Sequence, residues 1–257
     1  MSSYSDPLFT VEEQNILVAG GTGGLGWQIA RELCKRGAAV AIGDIAEAKA
    51  QVCADMLTEQ GGRSLAIPLD VTSRNSCEAA VRQITARWGR LDGLVNASGI
   101  YRVAPALELA EKDWQDSIDV NLTGTFQLAR AAGAIMLRQN HGSIVTITSV
   151  SSTVANHNYA AYAASKAGAA HVTRILALEW ASSNVRVNAI GPAVTPTPLA
   201  APILEDQKTR SAALGKIPMR RFGTPDDLLA TIVFLLAPGS SFLTGQIIYV
   251  DGGRTIS

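Results

Sequence analysis

The chain has no excess of either charge and few of the residues that build metal or disulfide sites. Its 257 residues contain 22 Lys plus Arg and 22 Asp plus Glu, so no broad basic surface is available for nucleic acid or an anionic membrane. The three cysteines, Cys34, Cys53 and Cys77, form no C-x-x-C pair. This pattern argues against a disulfide framework and a zinc site, and we expect no metal.

Long apolar runs are also missing. No stretch approaches the roughly 20 residues that a membrane-spanning helix needs, and the first residues, MSSYSDPLFTVEEQ, lack the pattern of a secretion signal. We therefore expect a protein of the cytoplasm without membrane partners. With 47% hydrophobic residues, a chain of this length can bury a large core. We expect a single domain over residues 1–257, in which residues 1–14 form an N-terminal tail.

The chain does contain a regular alternation of short apolar runs and longer helical patterns. The runs are short and β-branched, as strands buried in a parallel sheet are. They lie at residues 15–20, 39–44, 64–70, 91–96, 143–148, 185–190 and 246–253. The segments between them place apolar residues at helical spacing, as at Val81, Ile84 and Trp88. This alternation predicts an α/β, Rossmann-like doubly wound fold with a seven-stranded parallel sheet and helices on both faces.

A glycine-rich turn, GGTGGLG at residues 20–26, lies between the first predicted strand and a helix. That order brings backbone N–H groups and the positive end of a helix dipole to a phosphate, although a tight connection alone would also explain the glycines. Asp44, at the end of the second strand, favours dinucleotide binding because its carboxylate can accept hydrogen bonds from ribose hydroxyls. Asp70 ends the third strand and could accept from the adenine amino group or cap the next helix.

The segment AAYAASKAGAA, residues 160–170, places Tyr162 and Lys166 four positions apart among small residues. On a helix the two side chains lie on one face. Taken alone, the spacing is more typical of a tyrosine packed on a neighbour beside a solvated lysine. A second unusual segment covers residues 191–224, which hold several prolines and no predicted strand. A loop of that length commonly binds a ligand, so we expect it to contact the substrate.

Together these motifs resemble the short-chain dehydrogenase/reductase family over nearly the whole chain. The family's glycine turn matches Gly20, Gly24 and Gly26, and its Pro-Gly loop is similar to Pro192 and Ala193. The resemblance implies that the catalytic residues are Asn121, Ser149, Tyr162 and Lys166. It implies that the cofactor-binding residues are Gly20, Thr22, Gly23, Gly24, Leu25, Gly26, Asp44, Ile45, Asp70, Val71, Asn96, Ala97, Ser98, Gly99, Tyr162, Lys166, Pro192, Thr195 and Thr197.

The implied reaction is hydride transfer between a secondary alcohol and NAD. The alcohol must lose its proton as the hydride leaves, and a tyrosine with a pKa of ~10 is too weakly ionised at neutral pH to take it. Lys166 is therefore expected to lower the pKa of Tyr162 through its positive charge. The resemblance further implies that Ser149 holds the substrate oxygen and that Asn121 positions a water linking Lys166 to solvent.

We expect NAD rather than NADP, because Asp44 would repel the 2′-phosphate of NADP. The expected substrate is a small polar molecule such as a sugar or polyol. Candidate substrate contacts are Ser149, Arg102, Asn156, His157, Asn158 and Arg220. Two alternatives remain, an NADPH-dependent 3-oxoacyl-thioester reductase and a non-catalytic dinucleotide-binding scaffold. The family resemblance also implies assembly as a homotetramer, or a homodimer, through the helix that contains Trp114 to Ile135 and the Tyr162 helix.

Overall fold

Seven parallel strands form one sheet, as the sequence predicts. This computed structural model describes residues 6–257. The strands are β1 (Asn15–Ala19), β2 (Ala39–Asp44), β3 (Arg63–Pro68), β4 (Gly93–Asn96), β5 (Gly142–Ile147), β6 (Val185–Pro192) and β7 (Ile247–Val250). Their order in the sheet is β3-β2-β1-β4-β5-β6-β7. Strands that follow β1 in the chain are added on one side of it up to β3, and from β4 onward on the other side. Sheets of this kind bind ligands beyond the carboxyl ends of the strands at the point where the side changes, which here lies between β1 and β4.

Helices cover both faces of the sheet. They are α1 (Gly24–Lys35), α2 (Glu47–Glu59), α3 (Arg74–Trp88), α4 (Glu111–Ile118), α5 (Gly124–Gln139), α6 (Ala160–Trp180), α7 (Ala201–Glu205), α8 (Gln207–Gly215) and α9 (Pro225–Leu236). Adjacent residues of β1 face opposite layers: Val18 packs in the core shared with α1, α2 and α9, and Leu17 packs in the core shared with α3, α5 and α6. Since side chains alternate along a strand, one fully apolar strand supplies both cores.

The segment 191–224 is not the irregular loop that its prolines suggested. Strand β6 continues to Pro192, and the rest of the segment contains a 3₁₀ turn followed by α7 and α8. Proline is tolerated in the first helical turn because its missing N–H would have no partner there, and Pro202 lies in that position of α7. Asp206 caps α8 by accepting a 2.7 Å hydrogen bond from the Thr209 backbone N–H. Pro198 and Pro202 thus lie in the first turns of helical elements rather than interrupting them.

The chain ends also differ from expectation. In the described part of the predicted tail, Val11 is only 1% exposed and belongs to the core, while the Phe9 ring lies 5.9 Å from that of Phe234 on α9. Strand β7 stops at Val250 because Gly252 and Gly253 take φ angles of 60° and 90° and turn the chain. Within residues 6–257 no helix is both long and apolar enough to cross a membrane.

Candidate active site

A cavity of about 920 Å³ runs along the carboxyl ends of the strands. It is lined by every predicted cofactor residue except Asn96, and by the predicted catalytic residues Ser149, Tyr162 and Lys166. Residues that lie far apart in sequence therefore meet because each follows the end of a parallel strand or the start of the next helix. The position and size of this cavity are those expected of a site for an extended dinucleotide and a small second molecule.

The glycine turn forms one end of the cavity. A Cβ at Gly26 would lie 2.1 Å from the carbonyl oxygen of Gly20, so only glycine permits this packing of turn against helix. Helix α1 begins directly after Gly23 with no side chain capping its first turn and no acidic residue within it. Its first N–H groups and its positive dipole end are left available for an anion, so the turn fits the diphosphate of a dinucleotide.

Asp44 lines the cavity at the end of β2 and also holds the glycine turn in place. One carboxylate oxygen accepts from the Thr22 backbone N–H at 3.1 Å and from the Thr22 hydroxyl at 2.7 Å. The other accepts from the Ala46 backbone N–H at 3.0 Å. The sequence indicated only a ribose contact for Asp44. Its charge nevertheless remains at the cavity wall, where Lys49 is the neighbouring base.

Asp70 and Asn96 have roles that the sequence left open or missed. Asp70 lines the cavity and accepts from the Thr72 backbone N–H at 2.9 Å, whereas α3 is capped by Ser73. The alternative of Asp70 as a helix cap is therefore wrong. Asn96 is buried below the cavity, where it donates to the Thr125 hydroxyl and accepts from the Ser98 backbone N–H. It braces the chain after β4 instead of lining the pocket.

Tyr162 and Lys166 lie on one face of α6 and are both buried, at 8% and 5% exposure. The Lys166 ammonium lies 5.9 Å from the centroid of the Tyr162 ring and donates a 2.9 Å hydrogen bond to the backbone carbonyl of Ile147. The alternative of a solvated lysine is thus wrong. Ser149, directly after β5, joins them at the cavity wall and also caps a short 3₁₀ turn.

Burial governs the protonation of this pair. It raises the pKa of Tyr162 to about 12, although the neighbouring Ser149 hydroxyl acts in the opposite direction. It lowers the pKa of Lys166 to about 8. The direction at Tyr162 is opposite to the expectation from the sequence, because withdrawing the phenolate from water outweighs the stabilising groups that the protein alone provides.

Asn121 lies one layer behind the cavity wall. It occupies a π-helical turn, Asp119–Thr123, between α4 and α5, and is fully buried. Its amide donates to the Ile100 carbonyl and the Ser165 hydroxyl and accepts from the Ile100 N–H, at 3.0, 3.1 and 2.9 Å. A Cβ at Gly99 would lie 3.2 Å from the Asn121 amide oxygen and 3.3 Å from Lys166 Nζ. Asn121 and Lys166 therefore approach the same glycine from two sides.

The structure places only some of the candidate substrate residues in the cavity. Ser149, Asn156 and His157 line the cavity. Outside it, Arg102 lies 3.3 Å from the Asp113 carboxylate, and Asn158 uses its carbonyl to accept from the Ala104 N–H. Arg220 also lies outside, and donates to the Gly215 carbonyl at 2.9 Å.

Among the cavity residues that the sequence did not predict are Tyr101, Tyr159, Lys216 and Arg254. The rings of Tyr101 and Tyr159 meet that of Tyr162 edge to face, with centroids 5.1 and 6.0 Å away, and the Tyr101 hydroxyl donates to that of Tyr159. Tyr159 lies one helical turn before Tyr162, so spacing could have revealed it. Lys216 and Arg254 carry no such signal, because only the tertiary fold brings their segments to the cavity.

Comparisons with known proteins agree with this geometry. Residues 19–255 match the family described as enoyl-(acyl carrier protein) reductase. The 5-keto-D-gluconate 5-reductase of Escherichia coli K12 is 33% identical over 250 residues, covering 97% of this chain and 98% of the relative. The D-threitol dehydrogenase of Mycolicibacterium smegmatis is 37% identical over 249 residues, covering 96% and 95%. The crystal structure of a gluconate 5-dehydrogenase from Burkholderia cenocepacia in complex with NADP and tartrate aligns with a TM-score of 0.95 at 32% identity, covering 98% of each chain.

Proposed function

Because the chain belongs to the short-chain dehydrogenase/reductase family and is an oxidoreductase, we propose that it transfers a hydride between a secondary alcohol, or the matching ketone, and NAD. The observation that carries this proposal is the placement of Ser149, Tyr162 and Lys166 in the cavity that the uncapped start of α1 enters. A binding scaffold has no use for a buried lysine, whose charge is costly to hold away from water. The buried pair therefore favours an enzyme over the scaffold alternative.

Each of three cavity residues has a separate role in the proposed oxidation of the alcohol. NAD, when bound, supplies the acceptor for the hydride, which leaves the alcohol carbon with two electrons. The Ser149 hydroxyl holds the alcohol oxygen, and the Tyr162 phenol oxygen takes the proton that this oxygen loses as the C=O bond forms. Lys166 would stabilise the negative phenol oxygen before the transfer, and the buried setting strengthens that attraction by excluding water. Because the pKa of Tyr162 is about 12 in the protein alone, the positive charge of the oxidised nicotinamide would be needed to complete this stabilisation.

We propose a sugar or another small polyhydroxylated compound as the substrate. The catalytic part of the cavity presents hydroxyl, amide and imidazole groups from Tyr101, Ser149, Asn156, His157 and Tyr159. Ser149 is buried and Tyr101, Asn156 and Tyr159 are half-buried, whereas His157 is exposed. An apolar alcohol would leave the polar groups that are withdrawn from water without a partner, which weakens binding. The names of the two curated relatives, which act on a keto sugar acid and a polyol, support the same class.

A screen of sugars, polyols, sugar acids, cyclic alcohols and hydroxysteroids with NAD tests this proposal. We expect NADH formation, followed by absorbance, with polyhydroxylated compounds and at least tenfold smaller kcat/KM with apolar alcohols, since each unpaired polar group costs about 1–3 kcal/mol. Oxidation of bulky apolar alcohols alone would contradict the substrate class.

The second candidate function is an NADPH-dependent acyl-thioester reductase. One observation supports the cofactor that this candidate needs, since Lys49 lines the cavity and its positive charge would attract a 2′-phosphate.

Replacing Asp44 by Asn separates these two cofactors. A phosphate with −1.5 to −2 charges about 4–5 Å from the carboxylate costs a few kcal/mol, or roughly 10²–10³ in preference for NAD. Asp44→Asn removes the charge yet keeps an acceptor for Thr22, so we expect the NAD-to-NADP ratio of kcat/KM to fall about 10- to 100-fold. Steady-state kinetics with both cofactors measures it.

Thr22→Val is the matched control, because it breaks the 2.7 Å hydrogen bond to Asp44 while the carboxylate stays. It should weaken both cofactors without changing their ratio. If the wild-type enzyme uses both cofactors equally, or if Thr22→Val changes the ratio as much as Asp44→Asn does, Asp44 does not select NAD by its charge.

We further propose a cytoplasmic homotetramer, with a homodimer as the alternative. All three cysteines are free thiols, which fits a reducing compartment. Apolar side chains lie exposed on the two helices expected to form interfaces, at Phe126 on α5 and at Ile175 and Leu178 on α6. Exposed apolar surface of this kind is typical of contact sites between subunits.

A further inference from the structure

The acidic residues that line the cavity lie at one of its ends, together with Lys49. Asp44 and Asp70 follow β2 and β3, and no other acidic residue within 6–257 lines the cavity. Arg254 follows β7, at the opposite edge of the sheet. Five strand steps of about 4.8 Å separate β2 from β7, so Arg254 lies some 24 Å of sheet width from the acidic end. The end of the cavity beyond the catalytic residues is therefore cationic.

Arg254 and Lys216 are held together on one wall of that end. The Asp251 carboxylate accepts from the Gly253 and Thr255 backbone N–H groups at 2.9 and 2.8 Å and so winds the turn that carries Arg254. This turn is joined to the segment after α8, since the Ser257 hydroxyl donates to the Lys216 carbonyl at 3.0 Å. Arg254 and Lys216 therefore reach the cavity from two segments of the chain that are joined by this hydrogen bond.

The guanidinium of Arg254 is half-buried and poorly satisfied. Its one hydrogen bond among residues 6–257 is a long 3.4 Å contact from Nη2 to the Asn156 amide oxygen. No carboxylate within the same range forms an ion pair with it, although an arginine can donate five N–H bonds. Arg221, by contrast, is paired to the Asp227 carboxylate through both of its terminal nitrogens. Arg254 thus keeps guanidinium N–H donors available at the cavity wall for a bound ligand.

We propose that the substrate is a hydroxy acid and that Arg254 binds its carboxylate while Tyr162 and Ser149 hold the reacting hydroxyl. This inference rests on the proposed function, since it specifies the alcohol that is oxidised. A guanidinium matches a carboxylate with two parallel hydrogen bonds, a geometry that an ammonium cannot offer. Lys216 adds a second positive charge that favours an anion over a neutral polyol. Arg254 would therefore determine which substrates bind and would take no part in the proton transfer.

Binding of tartrate, a small dihydroxy dicarboxylate, tests the site without turnover. Isothermal titration of the NADH-bound enzyme should show tartrate binding to wild type and about 10- to 100-fold weaker binding to Arg254→Gln, the range expected for lost hydrogen bonds to a charged group. Arg254→Lys should recover part of the affinity. Arg220→Gln, an arginine outside the cavity, should leave it unchanged. Inorganic phosphate at equal concentration distinguishes a carboxylate site from a phosphate site.

A kinetic comparison of D-gluconate with D-glucitol gives the second readout. Wild type should prefer the acid, and Arg254→Gln should remove that preference by raising the KM for the acid while the kinetics of the polyol stay within about twofold. The proposal is overturned if wild type binds no tartrate, if Arg254→Gln binds it equally well, or if phosphate binds more tightly. If no alcohol is oxidised, the proposed function fails, and the titration still decides whether Arg254 holds a carboxylate.

Discussion

Tyr162→Phe should lower kcat by about 10²–10⁴-fold while the affinity for NAD stays nearly unchanged, since that is the usual range for a lost general acid or base. The substitution removes one buried oxygen and retains the ring that packs against Tyr101 and Tyr159. The nearby glycine turn and Asp44, which are proposed to hold the cofactor, are not touched. Steady-state kinetics and titration of NAD by fluorescence measure the two quantities separately.

Tyr159→Phe is the matched control, because it removes a phenol oxygen from the same cavity one helical turn earlier. We expect it to change KM more than kcat, since Tyr159 would contact the substrate and not the transferred proton. Near-normal kcat in a folded Tyr162→Phe enzyme would show that another group takes the proton. An equal loss of kcat in Tyr159→Phe would show that the tyrosine cluster acts as a unit.

Lys166→Met should abolish turnover and stabilise the fold. Burial lowers the pKa of Lys166 from 10.5 to about 8, so the folded protein holds this proton less tightly than the unfolded chain does. At pH 7 the lysine is charged in both states, and holding that charge in the fold costs up to about 3 kcal/mol at 1.36 kcal/mol per pKa unit. Methionine has a similar length and no charge. Loss of the hydrogen bond to Ile147 offsets part of the gain, by about 1 kcal/mol.

The stability difference between wild type and Lys166→Met is expected to depend on pH. Below pH 8 the folded state bears the full cost of the lysine charge; between pH 8 and 10.5 the folded state has lost this proton and the unfolded state still holds it. The free energy of unfolding of wild type therefore rises through this window, relative to Lys166→Met. Denaturant unfolding at pH 7 and at pH 10 should show the variant more stable at pH 7, with the difference shrinking at pH 10.

Lys35→Met serves as the control for that experiment, since Lys35 is exposed on the last turn of α1. Its stability should change by no more than about 0.5 kcal/mol at either pH, as is usual for a surface substitution. A Lys166→Met protein that is less stable than wild type at both values would mean that the ammonium is stabilised where it lies, and that its role in tuning Tyr162 needs another explanation.

The sheet could be predicted from the sequence because each strand is a short apolar run bounded by polar or glycine residues. Strand β2 was predicted at its observed limits, residues 39–44, since Asp44 marks its end. The glycine turn and the Tyr162–Lys166 pair were also predictable, because both depend on spacing within one local element. Local pattern was thus enough to predict the face of α6 that holds this pair and the glycine turn at one end of the cavity.

What remained beyond the sequence depends on contacts between distant segments. Helical spacing placed Lys166 beside Tyr162, yet its burial follows from packing against the end of β5, where Ile147 accepts its hydrogen bond. Arg102 follows β4, as Gly99 and Tyr101 do, but it lies outside the cavity and forms an ion pair with Asp113. Arg254 reaches the cavity only because the turn after β7 packs on the segment after α8. Periodicity contains no information on such pairings.

The hydrogen bonds between Asp44 and Thr22 couple the proposed selection of NAD by Asp44 to the geometry of the glycine turn. A substitution at position 44 that removes every acceptor, such as alanine, would relieve repulsion of a 2′-phosphate but release the Thr22 end of the glycine turn. Residues in direct contact are expected to show interaction free energies of about 0.5–3 kcal/mol in a double-mutant cycle. If Asp44 selects NAD as proposed, a change of preference from NAD to NADP is expected to begin with asparagine at position 44, or with a change near Thr22 that anchors the turn independently.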